Sequence, residues 1–248
     1  MDLNAERLQA VLGSRPFEYS PQIGSTNDRA LEWLRQNGAT GAVFVADEQV
    51  KGRGRLGRAW FSPPGTALMF SVALRPPADY LSRVNMLAAL SVLEAVEAAG
   101  AADIALKWPN DVLLNGRKVC GVLSEAAWDG DRLLGVALGI GLNVRVDFTG
   151  TPFEATAISL RAALPAADRA ALLAAILTRI DHWLAYIESD SLFAGWKARL
   201  ATLGRPISLI SSGLEGIAED VDPDGALLVR DSAGALHRVI AGDVAQGR

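Results

Sequence analysis

The sequence contains few of the residues on which several classes of protein depend. It has one cysteine, Cys120, and two histidines in 248 residues. No internal disulfide can form, no zinc-site spacing is present, and a reducing, cytoplasmic location is expected. No apolar run approaches the roughly 18 residues of a membrane span. The N-terminus has no basic segment followed by an apolar one, so we expect neither a signal peptide nor a membrane partner.

The usual patterns of a catalytic nucleophile are also missing. No Gly-x-Ser-x-Gly motif occurs. His182 lies outside the apolar stripe of its predicted helix, and His237 lies among short predicted strands, so both are interpreted as structural or solvent-facing. Cys120 is interpreted as a small apolar residue in the core of a strand. A reaction would therefore depend on positioning and electrostatics, with the substrates attacking each other.

The most informative segment that is present is Gly52–Trp60, which reads Gly-Arg-Gly-Arg-Leu-Gly-Arg-Ala-Trp. Its glycines let the backbone approach a ligand, and its arginines, with Lys51 before them, surround that backbone with positive charge. The whole chain carries a formal net charge of −4. A local basic segment on an acidic protein predicts a small anionic ligand rather than a broad nucleic-acid-binding face. Without a ligand, we expect the segment to be mobile.

Two further segments add cations and a carboxylate. Lys107–Asp111 reads Lys-Trp-Pro-Asn-Asp at a predicted strand end, and Arg117-Lys118 follows the hairpin dipeptide Asn115-Gly116. Basic side chains around Asp111 are typical of a nucleoside triphosphate site, in which the carboxylate holds Mg²⁺ directly or through water. Taken singly, each motif has a plain alternative: the basic loop as a surface turn, and Asp111 with Lys107 as a structural ion pair.

The periodicity of apolar residues predicts an α+β fold. Ser25 is expected to cap a helix that ends near Gly38, with Asp28 at the capping-box position. Asp168 is expected to cap another helix. Further helices are predicted over residues 82–99 and 191–204, and strands over residues 42–46, 67–74, 104–107, 111–114, 118–126 and 132–140. Short alternating runs after Gly204 predict a small β-barrel, so we place a domain boundary there.

Together, the motifs resemble the biotin protein ligases in their order and spacing. The resemblance covers nearly the whole chain and implies a mixed, mainly antiparallel sheet with flanking helices, as in biotin synthetases and class II aminoacyl-tRNA synthetases. It implies a catalytic domain over residues 1–203 and an SH3-like β domain over residues 204–248. The matching segments are Ser25–Asn27, Gln49–Trp60 with Ser62-Pro63, Lys107–Asp111, Lys118–Gly121 and Gly139–Asn143.

The resemblance implies a reaction in two steps. The carboxylate of biotin attacks the α-phosphate of ATP, with Mg²⁺ as cofactor, giving biotinyl-5′-AMP and pyrophosphate. A lysine of a biotin carboxyl carrier domain, from acetyl-CoA carboxylase or a related enzyme, then attacks the adenylate. A homodimer is a possible assembly. Both nucleophiles come from substrates, which agrees with the missing nucleophile patterns.

The resemblance also implies roles for individual residues. Lys118 ranks first for catalysis, because it resembles the lysine that bridges the biotin carboxylate and the α-phosphate, and Arg55 and Asp111 assist it. The implied Mg²⁺ ligands are Asp111 and Asn110. Biotin contacts are implied for Ser25, Thr26, Asn27, Gln49, Gly52, Arg53, Gly54, Arg55, Lys118 and Gly121. ATP contacts are implied for Arg53, Arg55, Arg58, Trp60, Lys107, Asn110, Asp111, Lys118 and Asn143.

Two departures from the family pattern bear on function. Cys120 stands where a small residue such as alanine is expected, which changes packing slightly. Ser25 comes too early in the chain for the helix-turn-helix domain of the repressor-type members, so a monofunctional ligase that does not bind DNA is expected. The alternatives are a lipoate or related acyl-protein ligase of similar fold and a nucleic-acid-binding regulator. The Gly-Arg-Gly-Arg and Lys-Trp-Pro-Asn-Asp motifs argue against the first, and the acidic chain argues against the second.

Overall fold

The helices form at the apolar segments identified above, with one addition near the N-terminus. The computed structural model describes residues 3–246. Its helices there are α1 (Ala5–Leu12), α2 (Thr26–Arg35), α3 (Arg83–Ala98), α4 (Arg169–Ala185) and α5 (Asp190–Ala198). The pattern did not predict α1, a short helix capped by Asn4, whose side chain accepts a hydrogen bond from the amide of Arg7 at 2.8 Å.

Both residues expected to cap helices occupy N-cap positions, but only one of them makes a capping hydrogen bond. Asp168 caps α4, its carboxylate accepting from the amide of Ala171 at 2.9 Å. Ser25 occupies the N-cap position of α2, but its side chain makes no capping hydrogen bond. Asp28 forms no capping box either, since it forms an ion pair with Arg53. The start of α2 is instead shaped by the contacts of the cavity described below.

The strands form two sheets. The first has seven strands in the order β1-β2-β3-β7-β6-β5-β4, and the second has five in the order β11-β10-β9-β8-β12. β1 and β2 pair in parallel, and the other neighbours pair antiparallel. The strands are β1 (Phe17–Ile23), β2 (Val43–Gln49), β3 (Ala67–Leu74), β4 (Ile104–Lys107), β5 (Asp111–Leu114), β6 (Arg117–Asp129), β7 (Arg132–Asn143), β8 (Pro206–Leu209), β9 (Glu215–Val221), β10 (Leu227–Arg230), β11 (Leu236–Val239) and β12 (Val244–Gln246). The α+β class is confirmed.

Both faces of the larger sheet are covered by helices, which is why β3 is buried along its whole length. On one face, α3 packs against β6 and β7 and in turn carries α4 and α5. α3 is so enclosed that even Ser91 is fully buried. On the other face, α2 packs over β3, β6 and β7.

The face of the sheet beneath α2 is lined by small residues. Ala73, Ala127 and Ala137 lie under the helix in one buried cluster. Further along the same alternating face of β7, Gly139 and Gly141 replace alanine. Because these positions carry no side chain, Asn27 and Trp60 can reach the wall of a cavity beside the first turn of α2.

The second sheet lies against the first. The indole Nε1 of Trp108, in the turn between β4 and β5, donates to the carbonyl of Gly225 at 2.8 Å. Its backbone amide donates to the hydroxyl of Thr202 at 3.0 Å. Trp108 is 1% exposed, so the turn that carries the predicted site residue Asn110 is anchored through both the indole and the backbone amide of Trp108. No helix in residues 3–246 has the length and apolar character needed to cross a membrane.

Candidate active site

A cavity of about 540 Å³ opens at the glycine-lined face of the larger sheet. Its walls come from the start of α2, the Gly52–Trp60 loop, the β4–β5 turn, and strands β6 and β7. Every residue for which the sequence implies a site role lines this cavity, with the exception of Gly52. The carbonyl of Gly52 accepts from the amide of Trp60 at 3.0 Å, which ties the two ends of the loop together.

One end of the cavity is made of neutral polar groups that hydrogen-bond to one another. The side-chain oxygen of Gln49 accepts from the Thr26 amide at 2.7 Å and from the Thr26 hydroxyl at 3.1 Å. The Ser71 hydroxyl lies 2.7 Å from the Thr26 hydroxyl and 2.6 Å from Oδ1 of Asn27. These groups are held in fixed orientations before any ligand arrives, which favours recognition of a small polar ring. We call this the neutral end.

Ser71, which supports the neutral end without lining the cavity itself, was missed by the sequence interpretation. It is fully buried at the middle of β3 and joins Thr26 to Asn27. The available signal was a single hydroxyl in the otherwise apolar run Ala67–Leu74. A buried polar side chain in such a run needs a partner, and here the partners are site residues.

The glycines around the cavity make room for side chains of the protein itself. A Cβ atom on Gly139 would lie 2.4 Å from Oδ1 of Asn27, and one on Gly141 would lie 2.7 Å from the Trp60 ring. The resemblance implied a biotin contact for Gly121. A Cβ atom there would lie 3.0 Å from the Trp60 ring and 3.2 Å from Nζ of Lys118. Its immediate effect is thus to admit Trp60 and Lys118 to the cavity wall.

A β-bulge places Lys118 on the cavity face. In the pairing of β5 with β6, Val112 pairs with Cys120, but the next residue, Leu113, pairs with Lys118. The extra residue shifts the alternation, so Lys118 and Gly121 lie on one side and Val119 and Cys120 both point into the core. Bulges commonly redirect a side chain next to a functional site.

Lys118 and its neighbours form a cluster of cations around one carboxylate. Nζ of Lys118 lies 2.6 Å from Oδ1 of Asp111, and Lys107 is the direct partner of Asp111 in the β4–β5 pairing. Nη1 of Arg55 donates to Oδ1 of Asn110 at 3.3 Å. Within the described part of the chain, neither Arg55 nor Lys107 forms a salt bridge. We call this cluster the cationic end.

Burial at the cationic end changes the pKa of two of its groups. Desolvation lowers the pKa of Lys107 from its usual value, opposed by the charge of Asp111 and reinforced by that of Lys118. Desolvation also lowers the pKa of Arg55, although a guanidinium remains protonated in proteins. Both cations are therefore poorly compensated, and an anion that enters the cavity would offset the cost of burying them.

Two arginines of the loop have carboxylate partners of their own. Nη2 of Arg53 lies 2.6 Å from Asp28 and 3.0 Å from Glu125, and Arg58 forms an ion pair with Asp243, beside the second sheet. The sequence interpretation named both arginines as ATP contacts and missed all three ion pairs with acidic residues. The loop also folds on itself through a bridge between Arg53 and Ala59.

Two buried polar atoms at the cavity have no partner among the described residues. They are Oδ1 of Asn143 and Nε1 of Trp60. The amide nitrogen of Asn143 donates to the carbonyl of Lys118 at 3.4 Å, which orients the free oxygen. Burying such groups unpaired is costly, so each is a position where a ligand can supply the missing hydrogen bond.

The side-chain oxygens around Asp111 fit a hard cation such as Mg²⁺ that takes most of its ligands from water and phosphate. Among residues 3–246, no group of three or more His, Cys, Asp or Glu side chains is placed to hold a metal. Mg²⁺ at phosphate sites usually takes one or two carboxylates and completes its shell with water and phosphate oxygens. Oδ1 of Asn110 already accepts from Arg55, and its Nδ2 donates to the carbonyl of Val122.

Comparison with known proteins agrees with this geometry. Residues 19–143 match the model of the Biotin/lipoate A/B protein ligase family, and residues 202–246 match that of the Biotin protein ligase C terminal domain. The chain is 37% identical to a biotin–[acetyl-CoA-carboxylase] ligase of Paracoccus denitrificans, over 85% of this chain and 92% of that protein.

The chain belongs to the biotin protein ligase family. It is also 33% identical to the bifunctional ligase/repressor BirA of Bacillus spizizenii, over 92% of this chain and 73% of that protein. The solved structure of the biotin protein ligase from Aquifex aeolicus in complex with biotin and ATP superposes with a TM-score of 0.80 at 30% identity. The match covers 94% of this chain and 99% of that one.

Among the described residues, neither the cysteine nor either histidine lines the cavity. Cys120 is fully buried on the core side of β6, and burial raises the pKa of its thiol far above the usual value. His182 is exposed on α4, and His237 forms an ion pair with Asp231 in the second sheet. The cavity therefore favours a reaction between two bound molecules over one that uses a cysteine or a histidine.

Proposed function

We propose that the protein forms biotinyl-5′-AMP from biotin and ATP and transfers biotin to a lysine of a biotin carboxyl carrier domain, from acetyl-CoA carboxylase or a related enzyme. One observation carries this proposal. A single cavity joins a preformed neutral end to a cationic end, which suits a molecule with an uncharged polar ring and a carboxylate. The Aquifex aeolicus ligase solved with biotin and ATP supports the same function.

In the first step, the cationic end overcomes the repulsion between two anions. The carboxylate oxygen of biotin attacks the α-phosphorus of ATP, and the bond to the bridging oxygen of pyrophosphate breaks. Lys118 and Arg55 donate to the approaching oxygens, while the neutral end fixes the ring. Holding both reactants in line is worth up to about 7–11 kcal/mol of the barrier. Each well-aimed donor to developing charge adds about 3–4 kcal/mol.

We infer that Mg²⁺ accompanies ATP and that Asp111 holds it, directly or through water, with Asn110 beside it. The Mg²⁺ ion would neutralise phosphate charge. Asp111 also lies 2.6 Å from Nζ of Lys118, so the same carboxylate would orient that amine toward the biotin carboxylate and the α-phosphate.

In the second step, the amine of the acceptor lysine attacks the carbonyl carbon of the adenylate, and AMP leaves with the bonding electrons. The unpaired atoms of Asn143 and Trp60 would contact the nucleotide and keep AMP in place until transfer. We further propose that residues 1–203 form the catalytic domain and residues 204–248 an SH3-like domain. The cytoplasmic location, the possible homodimer and the expectation of no DNA partner stay predictions.

The decisive experiment is a transfer assay with purified components. The protein, biotin, Mg·ATP and a carrier domain are combined, and mass spectrometry locates the added biotin on the acceptor lysine. Omitting Mg²⁺ or ATP should prevent labelling. Absence of transfer with every carrier domain of the host would contradict the proposal. Calorimetry with biotin and with lipoate separates this function from that of a lipoate ligase, and salt-dependent binding to duplex DNA would support a regulator instead.

A further inference from the structure

Glu125, on β6, contacts both the neutral end of the cavity and the basic loop. Its Oε2 accepts from Nδ2 of Asn27 at 2.6 Å. Nε of Arg53 donates to its Oε1 at 3.1 Å, and Nη2 of Arg53 lies 3.1 Å from Oε1 and 3.0 Å from Oε2. One carboxylate thus joins the start of α2 to the start of the loop.

The contact with Asn27 determines which way the Asn27 amide faces. Nδ2 donates to Glu125 and, at 3.3 Å, to the carbonyl of Leu123, whereas Oδ1 lies 2.6 Å from the Ser71 hydroxyl. Turning the amide over would bring its oxygen against two acceptors. Asn27 is 4% exposed, so water cannot repair that arrangement.

The contact with Arg53 holds the loop in its folded position. The Arg53 guanidinium is divided between Glu125 and Asp28, and these hydrogen bonds raise its pKa despite partial burial. The following residues are fixed to it, because the amide of Gly54 donates to the carbonyl of Arg58 at 2.7 Å. With both carboxylates occupied, the guanidinium of Arg53 is a tether for the loop rather than a free phosphate ligand.

We propose that Glu125 is a positioning residue that prepares the ring pocket through Asn27 and, through Arg53, keeps the Gly52–Trp60 loop closed over it. The inference deepens the proposed function and rests on it for the identity of the ligand. Glu125 itself does not line the cavity, so it acts on the ligand through these two side chains.

The test replaces Glu125 by its amide in the full-length protein. Glu125→Gln keeps the shape but puts a donor against either Asn27 or Arg53. We expect the Kd for biotin to rise about tenfold, the worth of one buried hydrogen bond. Amide hydrogen exchange of residues 52–60 in the unliganded protein should also rise, by about tenfold in its opening equilibrium.

Two further variants separate the two contacts. Asp28→Asn weakens only the tether, so loop exchange should rise by about two- to fivefold, as for an exposed ion pair, while the Kd for biotin stays within about twofold. In an Arg53→Met background, Glu125→Gln should leave loop exchange unchanged and still weaken biotin, because only the Asn27 contact remains to be lost.

Glu18→Gln is the matched control. Glu18 binds Arg29 of α2 through two hydrogen bonds of 2.7 Å but touches neither Asn27 nor the loop. It should leave the Kd and loop exchange as in the wild type. Unchanged biotin affinity and unchanged loop exchange in Glu125→Gln would overturn the proposal, as would equal effects in Glu18→Gln. If the wild type binds no biotin, the proposed function fails, while loop exchange still tests the tether.

Discussion

The two ends of the cavity recognise a ligand by opposite physical means. At the neutral end, Thr26, Asn27 and Ser71 are buried and bonded to one another, so the binding surface exists before the ligand. At the cationic end, Lys107 and Arg55 are desolvated without a salt bridge among the described residues, and their charge awaits a partner. A preformed surface selects a ligand by its shape. Uncompensated positive charge stabilises bound molecules more strongly as negative charge develops on them in the transition state.

Substitutions at the cationic end should therefore lower the rate of adenylate formation, and substitutions at the neutral end should weaken the binding of biotin. Loss of a cation removes an interaction that strengthens in the transition state, so kcat falls. Loss of a neutral hydrogen bond weakens ground state and transition state alike, so KM for biotin rises.

The largest effect is expected for Lys118→Ala. Adenylate formation should fall by about 10³-fold, because the proposed mechanism has Lys118 donating to both reacting groups. Pyrophosphate release measures this step, and an unchanged Tm shows that the fold is intact. Arg117→Ala is the matched control, since Arg117 is the adjacent cation, is exposed and does not line the cavity. Near-normal turnover of Lys118→Ala would remove Lys118 from its assigned role.

Arg55→Ala should lower kcat for adenylate formation by about 10²-fold, as for the loss of one donor to developing charge. The KM for biotin should change little, because Arg55 belongs to the cationic end. Lys51→Ala, which removes an exposed cation next to the loop, provides the comparison. A large rise in biotin KM with unchanged kcat would show that the two ends are not separated as proposed.

Two glycines of β7 give a sharper test of the comparison. Gly139→Ala would press on Asn27, and Gly141→Ala would press on Trp60. Overpacking costs about 1–3 kcal/mol, which corresponds to roughly 5- to 150-fold. We expect Gly139→Ala to raise mainly the KM for biotin and Gly141→Ala mainly the KM for ATP. Steady-state kinetics with each substrate varied decides this, and equal shifts of both KM values in both variants would contradict it.

The smallest predicted effect is proton uptake of less than one proton when ATP binds. Burial lowers the pKa of Lys107, so part of the population is neutral at alkaline pH, and phosphate charge should raise that pKa again. In the folded protein without ATP, Lys107 releases its proton at a lower pH than in the unfolded chain. Its burial therefore costs stability at low pH, and that cost disappears as pH rises through the lowered pKa.

Calorimetry in two buffers of different ionisation enthalpy measures the uptake directly. Lys107→Met should remove the contribution, and Lys51→Met should leave it unchanged. Uptake that persists in Lys107→Met would assign the proton to another group at the cationic end.

Local signals allowed most of the fold to be predicted, and long-range contacts account for what was missed. Strand β3 is a continuous apolar run with the bounds expected for it. β1 was not predicted because it is a half-exposed edge strand interrupted by Pro21. β12 was not predicted because it has only three residues. Ser25–Asn27 and Lys118 were proposed as site residues because they belong to motif segments of the sequence. The partners Glu125 and Asp243 are brought to the loop only by folding, so no local pattern reveals them.

The bulge at β6 gives this strand two phases of alternation. After the bulge the odd-numbered residues Gly121 and Leu123 line the cavity, whereas before it an even-numbered residue, Lys118, does so. A single residue inserted between them would switch Lys118 to the core side without altering any site residue. In the hairpin turn at Asn115-Gly116, the same insertion would only lengthen a loop. The number of residues in this short interval therefore matters as much as their identity.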